Sequence, residues 1–318
     1  MKDFSTYSPE GVIAENLQEL TERKDLLFEE EIAHLRELAI EIAEGDDLAD
    51  LLSSLPYYRI TLEEPTGDAP ADNADILLRS RRLLEARQCM VLCQKLYEQL
   101  KSRDHLLSAL FPDLEEVAPH AAGRIVYQRS SYTDDAYLAF AGLVPNARAA
   151  YAHSFHVACE EVCQGHCEFC ILPVENAVEG ELIGFAKLIA QNELKIAAVC
   201  DIAGSDASRK TRFALLRRNI LPFFASGTDE NGFFRCSVPQ SLAPNVADVL
   251  SAASFFGLSL LSVNTLPIPK DEDEEKTCMN LTFDIHGGDL YPFLLYLATV
   301  APQYTPIGIY SHIKLKGQ

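Results

Sequence analysis

The segment Pro173-Val174-Glu175-Asn176-Ala177-Val178-Glu179-Gly180 places two carboxylates and a carboxamide directly after an apolar run. Asn176 fits a helix N-cap and Glu179, three residues on, stands where a capping-box acid belongs, so a helix is expected from Ala177 to Gln191. A helix amino terminus at the carboxyl end of a buried parallel strand offers free N–H groups and a positive dipole, which suit a carboxylate ligand. The same pattern also describes a well-capped helix without a ligand. A second constellation comprises His153, His156, Cys159, Cys163, His166, Cys167 and Cys170, with a Cys167-x-x-Cys170 knuckle spacing that suits zinc. Cys170, however, falls in an expected buried strand and Cys163 on a helix, where cysteine packs as a small apolar residue. No second CxxC pair is present, and no metal is expected.

The elements that hold these residues follow from periodicity. Leu17, Leu20, Leu27, Ile32, Leu35, Leu38 and Ile42 recur at helical spacing from Pro9 to Glu44. Gly45-Asp46-Asp47 ends that helix, Pro65 to Asn73 reads as a loop, and a second helix is expected from Ala74 to Arg103. Residues 1–110 thus read as a helical domain. From residue 120 to 222, strands at Arg124–Gln128, Ala149–Ala152, Glu168–Val174, Lys195–Asp201 and Thr211–Arg217 alternate with helices at Thr133–Phe140, Val157–Cys163 and Ala177–Gln191. That alternation points to a mainly parallel α/β sheet. Residues 228–314 read βαββαβ, a ferredoxin-like order, with an acidic loop Asp271 to Glu275 between the middle strands.

Composition bounds the function. With 48% hydrophobic and 23% charged residues the 318-residue chain is an ordinary globular protein. A net charge of -20 repels nucleic acid and anionic membranes. The most apolar stretch, Val249 to Val263, is too short to span a bilayer. Nine cysteines without framework spacing imply reduced thiols, and a cytoplasmic protein is expected.

Pro173 to Gly180, with the following helix and Leu194-Lys195-Ile196, resembles the Pro-Ile-Glu-Asn-Ser-x-Glu-Gly segment of prephenate dehydratases, and Thr211-Arg212-Phe213 matches their Thr-Arg-Phe motif. Tyr127-Gln128 and Tyr132-Thr133-Asp134 are similar to the family's first strand and helix start, and residues 228–313 resemble the ACT domain that follows it. The resemblance implies removal of carbon dioxide and water from prephenate to give phenylpyruvate, in phenylalanine synthesis. It makes Thr211 catalytic, Arg212 a carboxylate clamp or a structural ion pair, and Asn176 part of the cleft. Glu175, Ala177, Glu179, Ser130, Ser131, Tyr132 and Phe213 fall at substrate-binding positions, and Pro244, Asn245, Asn264 and Thr265 at effector-binding ones. It further implies a dicarboxylate substrate or amino-acid effector, a homodimer or higher homo-oligomer, and no cofactor.

The chain also departs from the family. Arg129-Ser130-Ser131 replaces a glycine-rich turn, Ala177 a hydroxyl residue, and Val263-Asn264-Thr265-Leu266-Pro267 the Glu-Ser-Arg-Pro effector motif. Ala243-Pro244-Asn245-Val246 likewise stands for Pro-Gly-Ala-Leu. Ile202 to Lys210 stands where relatives insert a second α/β lobe, leaving a cleft with one wall. Either another domain or subunit supplies the second wall, or the protein is a catalytically inactive homologue that senses a small carboxylate or regulates through its ACT-like unit. A zinc-containing assembly module is the third reading. The helical domain occupies the place of a chorismate mutase in bifunctional relatives, and Leu38-Ala39 and Ile42-Ala43 resemble its first helix. Arg23, Lys24, Arg36, Arg79, Arg82 and Arg87 are its candidate dicarboxylate ligands; a packing or dimerisation role is the alternative.

Overall fold

A computed structural model describes residues 9–44, 84–100, 106, 110–111, 120–204, 210–220, 232–239, 246–270, 274–301 and 303–313. Its helices are α1 (Pro9–Ala43), α2 (Ala86–Gln99), α3 (Ser131–Ala141), α4 (Phe155–Cys163), α5 (Ile183–Gln191), α6 (Val246–Phe255) and α7 (Leu290–Val300). The strands are β1 (Arg124–Gln128), β2 (Arg148–Ala152), β3 (Phe169–Asn176), β4 (Gly180–Glu181), β5 (Lys195–Ala203), β6 (Lys210–Arg217), β7 (Gly232–Pro239), β8 (Ser259–Lys270), β9 (Glu274–Asp284) and β10 (Thr305–Ile313).

The strands form one mixed sheet in the order β2-β1-β3-β6-β5-β10-β7-β9-β8, with β4 paired to β3. The expected mainly parallel sheet is corrected at β6, which runs antiparallel to both β3 and β5. The chain between β5 and β6 is too short for the crossover that a parallel pair requires. The last four strands are antiparallel to their mutual neighbours in the order β10-β7-β9-β8. β8 and β9 reach Lys270 and Glu274, which pair, so Glu274 and Glu275 of the expected acidic loop belong to β9, and residues 271–273 lie outside the described residues.

Side-chain alternation sorts the core into layers. Phe213 and Leu215 of β6 pack with Ala136 and Phe140 under α3. Ala214 and Leu216 pack on the other face with Cys159 of α4 and Ile189 of α5. Farther along the sheet, Phe234, Cys236 and Leu281 meet α6 and α7 in a core that α1 and α2 also enter through Leu35, Ala39, Ile42 and Leu96. In α1 the buried positions fall at i, i+4 and i+7, a single stripe. The second helix is shorter than expected: it starts at Ala86, where Glu85 N–H donates to Gln88 Oε1 at 2.8 Å. It ends at Leu100, whose backbone is extended. Residues 45–83 and 101–103 of the expected helices and loops lie outside the described residues.

β5 and β10 run parallel, with Gly308 opposite Ile196, and this pair alone joins the two halves of the sheet among the described strands. A Cβ at 308 would stand 2.4 Å from Ile196 O, closer than any methyl group tolerates. Gly308→Ala is therefore expected to destabilise the protein by about 1–3 kcal/mol through backbone displacement. Gly184→Ala, on α5 with open space around the added methyl group, is expected to be neutral or to stabilise by up to about 1 kcal/mol. Urea midpoints of the two variants check the contrast.

Candidate functional site

The carboxyl ends of β1, β2, β3, β5 and β10 and the amino end of β6 lie along one edge of the sheet. Both sequence motifs arrive there. Asn176 at the end of β3 is the register partner of Thr211 at the start of β6, and Glu175 is the partner of Arg212. On its other side β6 sets Arg212 opposite Asp201 of β5. Residues far apart in the chain thus become hydrogen-bonded neighbours.

Strand geometry then separates them. Thr211 shares the alternation of Phe213 and Leu215, which pack under α3, whereas Arg212 shares that of Ala214 and Leu216 under α4 and α5. Thr211 and Asn176 therefore belong to the α3 face, and Arg212 and Glu175 to the opposite one.

Arg212 is the centre of an ion-pair network. Its Nε donates to Asp201 Oδ1 at 2.8 Å and its Nη2 to Asp201 Oδ2 at 3.3 Å, a two-pronged contact, while Nη1 donates to Glu175 Oε2 at 2.7 Å. His312 Nε2 of β10 stands 3.3 Å from Asp201 Oδ2, at ion-pair distance but outside hydrogen-bond alignment. Of the two roles open to Arg212, the ion pair is formed in this geometry. Burial opposes the charge on Asp201, but His312 and Arg212 outweigh it and hold the carboxyl well below the usual range. Burial likewise disfavours the charge on Arg212, and Asp201 and Glu175 more than compensate. Sequence reading did not select Asp201 and His312. Asp201, an acid closing an apolar strand, carried a local signal; His312 carried none.

The helix expected from Ala177 is corrected to a β-hairpin. Asn176 Oδ1 accepts the N–H groups of Val178 at 2.9 Å and Glu179 at 2.6 Å, and Gly180, at φ +72, turns the chain into β4. The helix itself begins only at Ile183, so its amino terminus is not at the end of β3. Ala177 and Glu179 are exposed on the hairpin, and Phe213 is buried in the core. A helix amino terminus does follow β1: Ser130 caps α3, accepting the Thr133 N–H at 3.2 Å, while Thr133 Oγ1 accepts the Ser130 N–H at 2.8 Å. Ser131 and Tyr132 are exposed beside it. Tyr127, buried beneath, donates to Asp134 at 3.0 Å. Burial first, then Asp134 and Tyr151, push the Tyr127 hydroxyl far up.

Two of the four effector candidates, Asn264 and Thr265, are apart from this edge. Asn264 lies on β8 opposite Asn280, with Thr265 exposed on the other face, and Pro244 and Asn245 lie outside the described residues. The cysteines of the constellation gather in one apolar core, with Cys163 packed at its edge, and His156 and His166 stay outside it. Cys159, Cys167 and Cys170 are buried, and His156 and His166 face Glu160 and Glu161 on the surface at 3.4 Å each. Hydrogen bonding with Cys159 and then burial push the Cys170 thiol well up, and burial raises Cys163 and Cys167. Among the described residues no group of three or more His, Cys, Asp or Glu is arranged to hold a metal. Among them, too, no helix is long and apolar enough to cross a membrane.

Residues 127–203 match the family model for prephenate dehydratase. Among solved structures the chain is similar to a prephenate dehydratase from Streptococcus mutans, at 21% identity over 60% of this chain and 99% of that one, with a TM-score of 0.47. It is also similar to a prephenate dehydratase from Arthrobacter aurescens in complex with L-Phe, at 16% identity, 59% and 90% coverage and a TM-score of 0.46. A third is a protein described as a novel type of quorum quenching acylase, at 16% identity, 59% and 94% coverage and a TM-score of 0.44. No curated protein matches the chain.

The depressed carboxyl of Asp201 ties stability to pH. A carboxyl held lower in the folded than in the unfolded chain contributes its full stabilisation above the ordinary value of about 4 and loses it as pH falls toward the folded value. Asp201→Asn is expected to cost about 1–2 kcal/mol at pH 7, half-exposed partners being screened. Its deficit against the parent is expected to narrow steadily below pH 4 in urea titrations at pH 7, 5 and 3.

Proposed function

We propose, from the premise that residues 127–203 are those of a prephenate dehydratase family domain, that the chain is a prephenate dehydratase-type lyase of phenylalanine synthesis. The single observation that carries the reading is the register that sets Asn176 of one motif opposite Thr211 of the other at the carboxyl edge of the sheet. In the reaction the ring carboxylate leaves as carbon dioxide, its bonding electrons move into the ring, and the ring hydroxyl departs as water once protonated. In this reading Thr211, half-buried on the α3 face, is the donor to that hydroxyl, and Asn176 orders the adjoining hairpin. Acid assistance of this kind contributes about 10²–10⁴-fold. The N–H groups at the start of α3, with exposed Ser131 and Tyr132, are the substrate-facing donors on the same face. Glu175, Arg212 and Phe213 support the site from the other face and the core.

The remaining units fit the same family reading. Residues 228–314 are an ACT-like regulatory unit, supported by the antiparallel order β10-β7-β9-β8 with α6 and α7 on one face. Asn264 and Thr265, with Pro244 and Asn245, are its effector positions for an amino acid. The helices of residues 1–110 serve dimerisation. Leu17, Leu20 and Leu27 share one face of α1 and are each more than half exposed, while Arg87 is stacked over Phe28 at 4.1 Å. A second copy facing this edge supplies the other wall of the cleft.

One observation favours a second reading. The guanidinium of Arg212 uses three of its five N–H donors on Asp201 and Glu175, which offset the charge it would offer a substrate carboxylate. A catalytically silent, small-carboxylate-sensing homologue accommodates that fact directly. The two readings divide on turnover. The lyase reading expects phenylpyruvate from prephenate with the purified chain, and a loss of about 100-fold or more in Thr211→Ala. No phenylpyruvate at high protein concentration, with melting raised by prephenate, selects the silent homologue.

A further inference from the structure

Helix α5 crosses the face of the sheet that is turned away from α6 and α7, and a cavity of about 340 Å³ lies between them. This volume is in the range of small-molecule sites. Ile189 of α5, Ile196 of β5, Leu266 of β8 and Ile307 of β10 give it apolar walls. Its floor is polar. Ser237 of β7 and Asn280 of β9 are register partners on this face, while Cys236 and Leu281 beside them turn into the opposite core.

Asn280 is 3% exposed and Ser237 9%. Neither Asn280 Oδ1 nor Ser237 Oγ makes a hydrogen bond among the described residues, and the same holds for Nε of Arg235, which also lines the cavity. A buried polar atom left without a partner costs about 1–3 kcal/mol, and folded chains satisfy nearly all of them. Convergence of such atoms from two strands on one cavity is the signature of a site built for something other than the fold.

Charge and chemistry narrow the occupant. Arg235 is paired with Glu181, and Glu193 and Lys195 add one charge of each sign, so the lining carries no net charge to attract an ion. Arg235 Nε can only donate, Asn280 Oδ1 only accepts, and the Ser237 hydroxyl does either. We propose that this cavity is a binding site for a small molecule with an apolar body and an uncharged head that carries both a hydrogen-bond donor and an acceptor, as a carboxamide does. Exposed Glu193 marks its mouth. The site is separate from the Thr211 edge and stands whether or not the lyase reading does.

Calorimetric titration of the full chain with 3-phenylpropanamide, 3-phenylpropanoate and 3-phenylpropylammonium tests it, since the three share one body and differ in the head. The amide is expected to bind saturably and at least 10-fold more tightly than either ion. Asn280→Leu is expected to weaken the amide at least 10-fold while the melting temperature holds or rises, because an unpartnered buried amide is replaced by an apolar side chain. Ala186→Phe, which fills the cavity from α5, is expected to block binding independently. Absence of saturable amide binding, equal affinity for all three heads, or undiminished binding in Ala186→Phe overturns the assignment, and unfolding of Asn280→Leu gives the side chain a structural role instead.

Discussion

Parallel pairing of β5 with β10 carries the α/β strands and the antiparallel strands as one sheet, and the polar features of the α4/α5 face depend on it. The contact of His312 with Asp201 crosses that seam, and so does the Arg235–Glu181 pair, which ties β7 to the hairpin β3–β4. The seam is possible only because Gly308 brings no side chain to Ile196. Without it, the cavity under α5 would lose the wall contributed by Ile196 of β5 or the one contributed by Ile307 of β10.

β6 governs the other face. Antiparallel on both sides, it delivers Thr211 to Asn176 and Arg212 to Asp201 and Glu175 in consecutive residues, and the pleat sends the two in opposite directions. A hydroxyl on the α3 face and a guanidinium on the α5 face cannot grip one substrate group together. The arginine pairs with both carboxylates and offsets the burial of Asp201, and the network ties together the strand ends that carry Thr211.

Much of this was legible in the sequence, and the misses have definite causes. β1 falls where alternation places it, and the βαββαβ order from Gly232 onward follows the periodicity closely, because long apolar patterns constrain element type. The helix expected at Ala177 failed for a subtler reason. In an N-cap and in an Asx turn alike the side-chain oxygen accepts from the N–H groups two and three residues on, so Asn176 makes the bonds expected of a cap while the chain continues as a turn. Gly180 was the available clue, since its positive φ suits a turn. The orientation of β6 was also readable, as Ile202 to Lys210 is too short for a parallel crossover. The partnership of Asp201 with His312 was not, because nothing local announces a contact between residues on strands so far apart in the chain.

The seam also imposes an order on synthesis. β5 is complete at Ala203, but its β10 neighbour begins at Thr305, about a hundred residues later. At about 5–20 residues per second, one edge of β5 waits roughly 5–20 s for its partner. During that interval a strand with Ile196, Val199 and Ile202 presents unpaired backbone to its surroundings, a ready template for another chain. The same connection that makes the finished sheet continuous leaves the growing one open at its middle, and a nascent chain stalled before β10 would be exposed to aggregation at that strand.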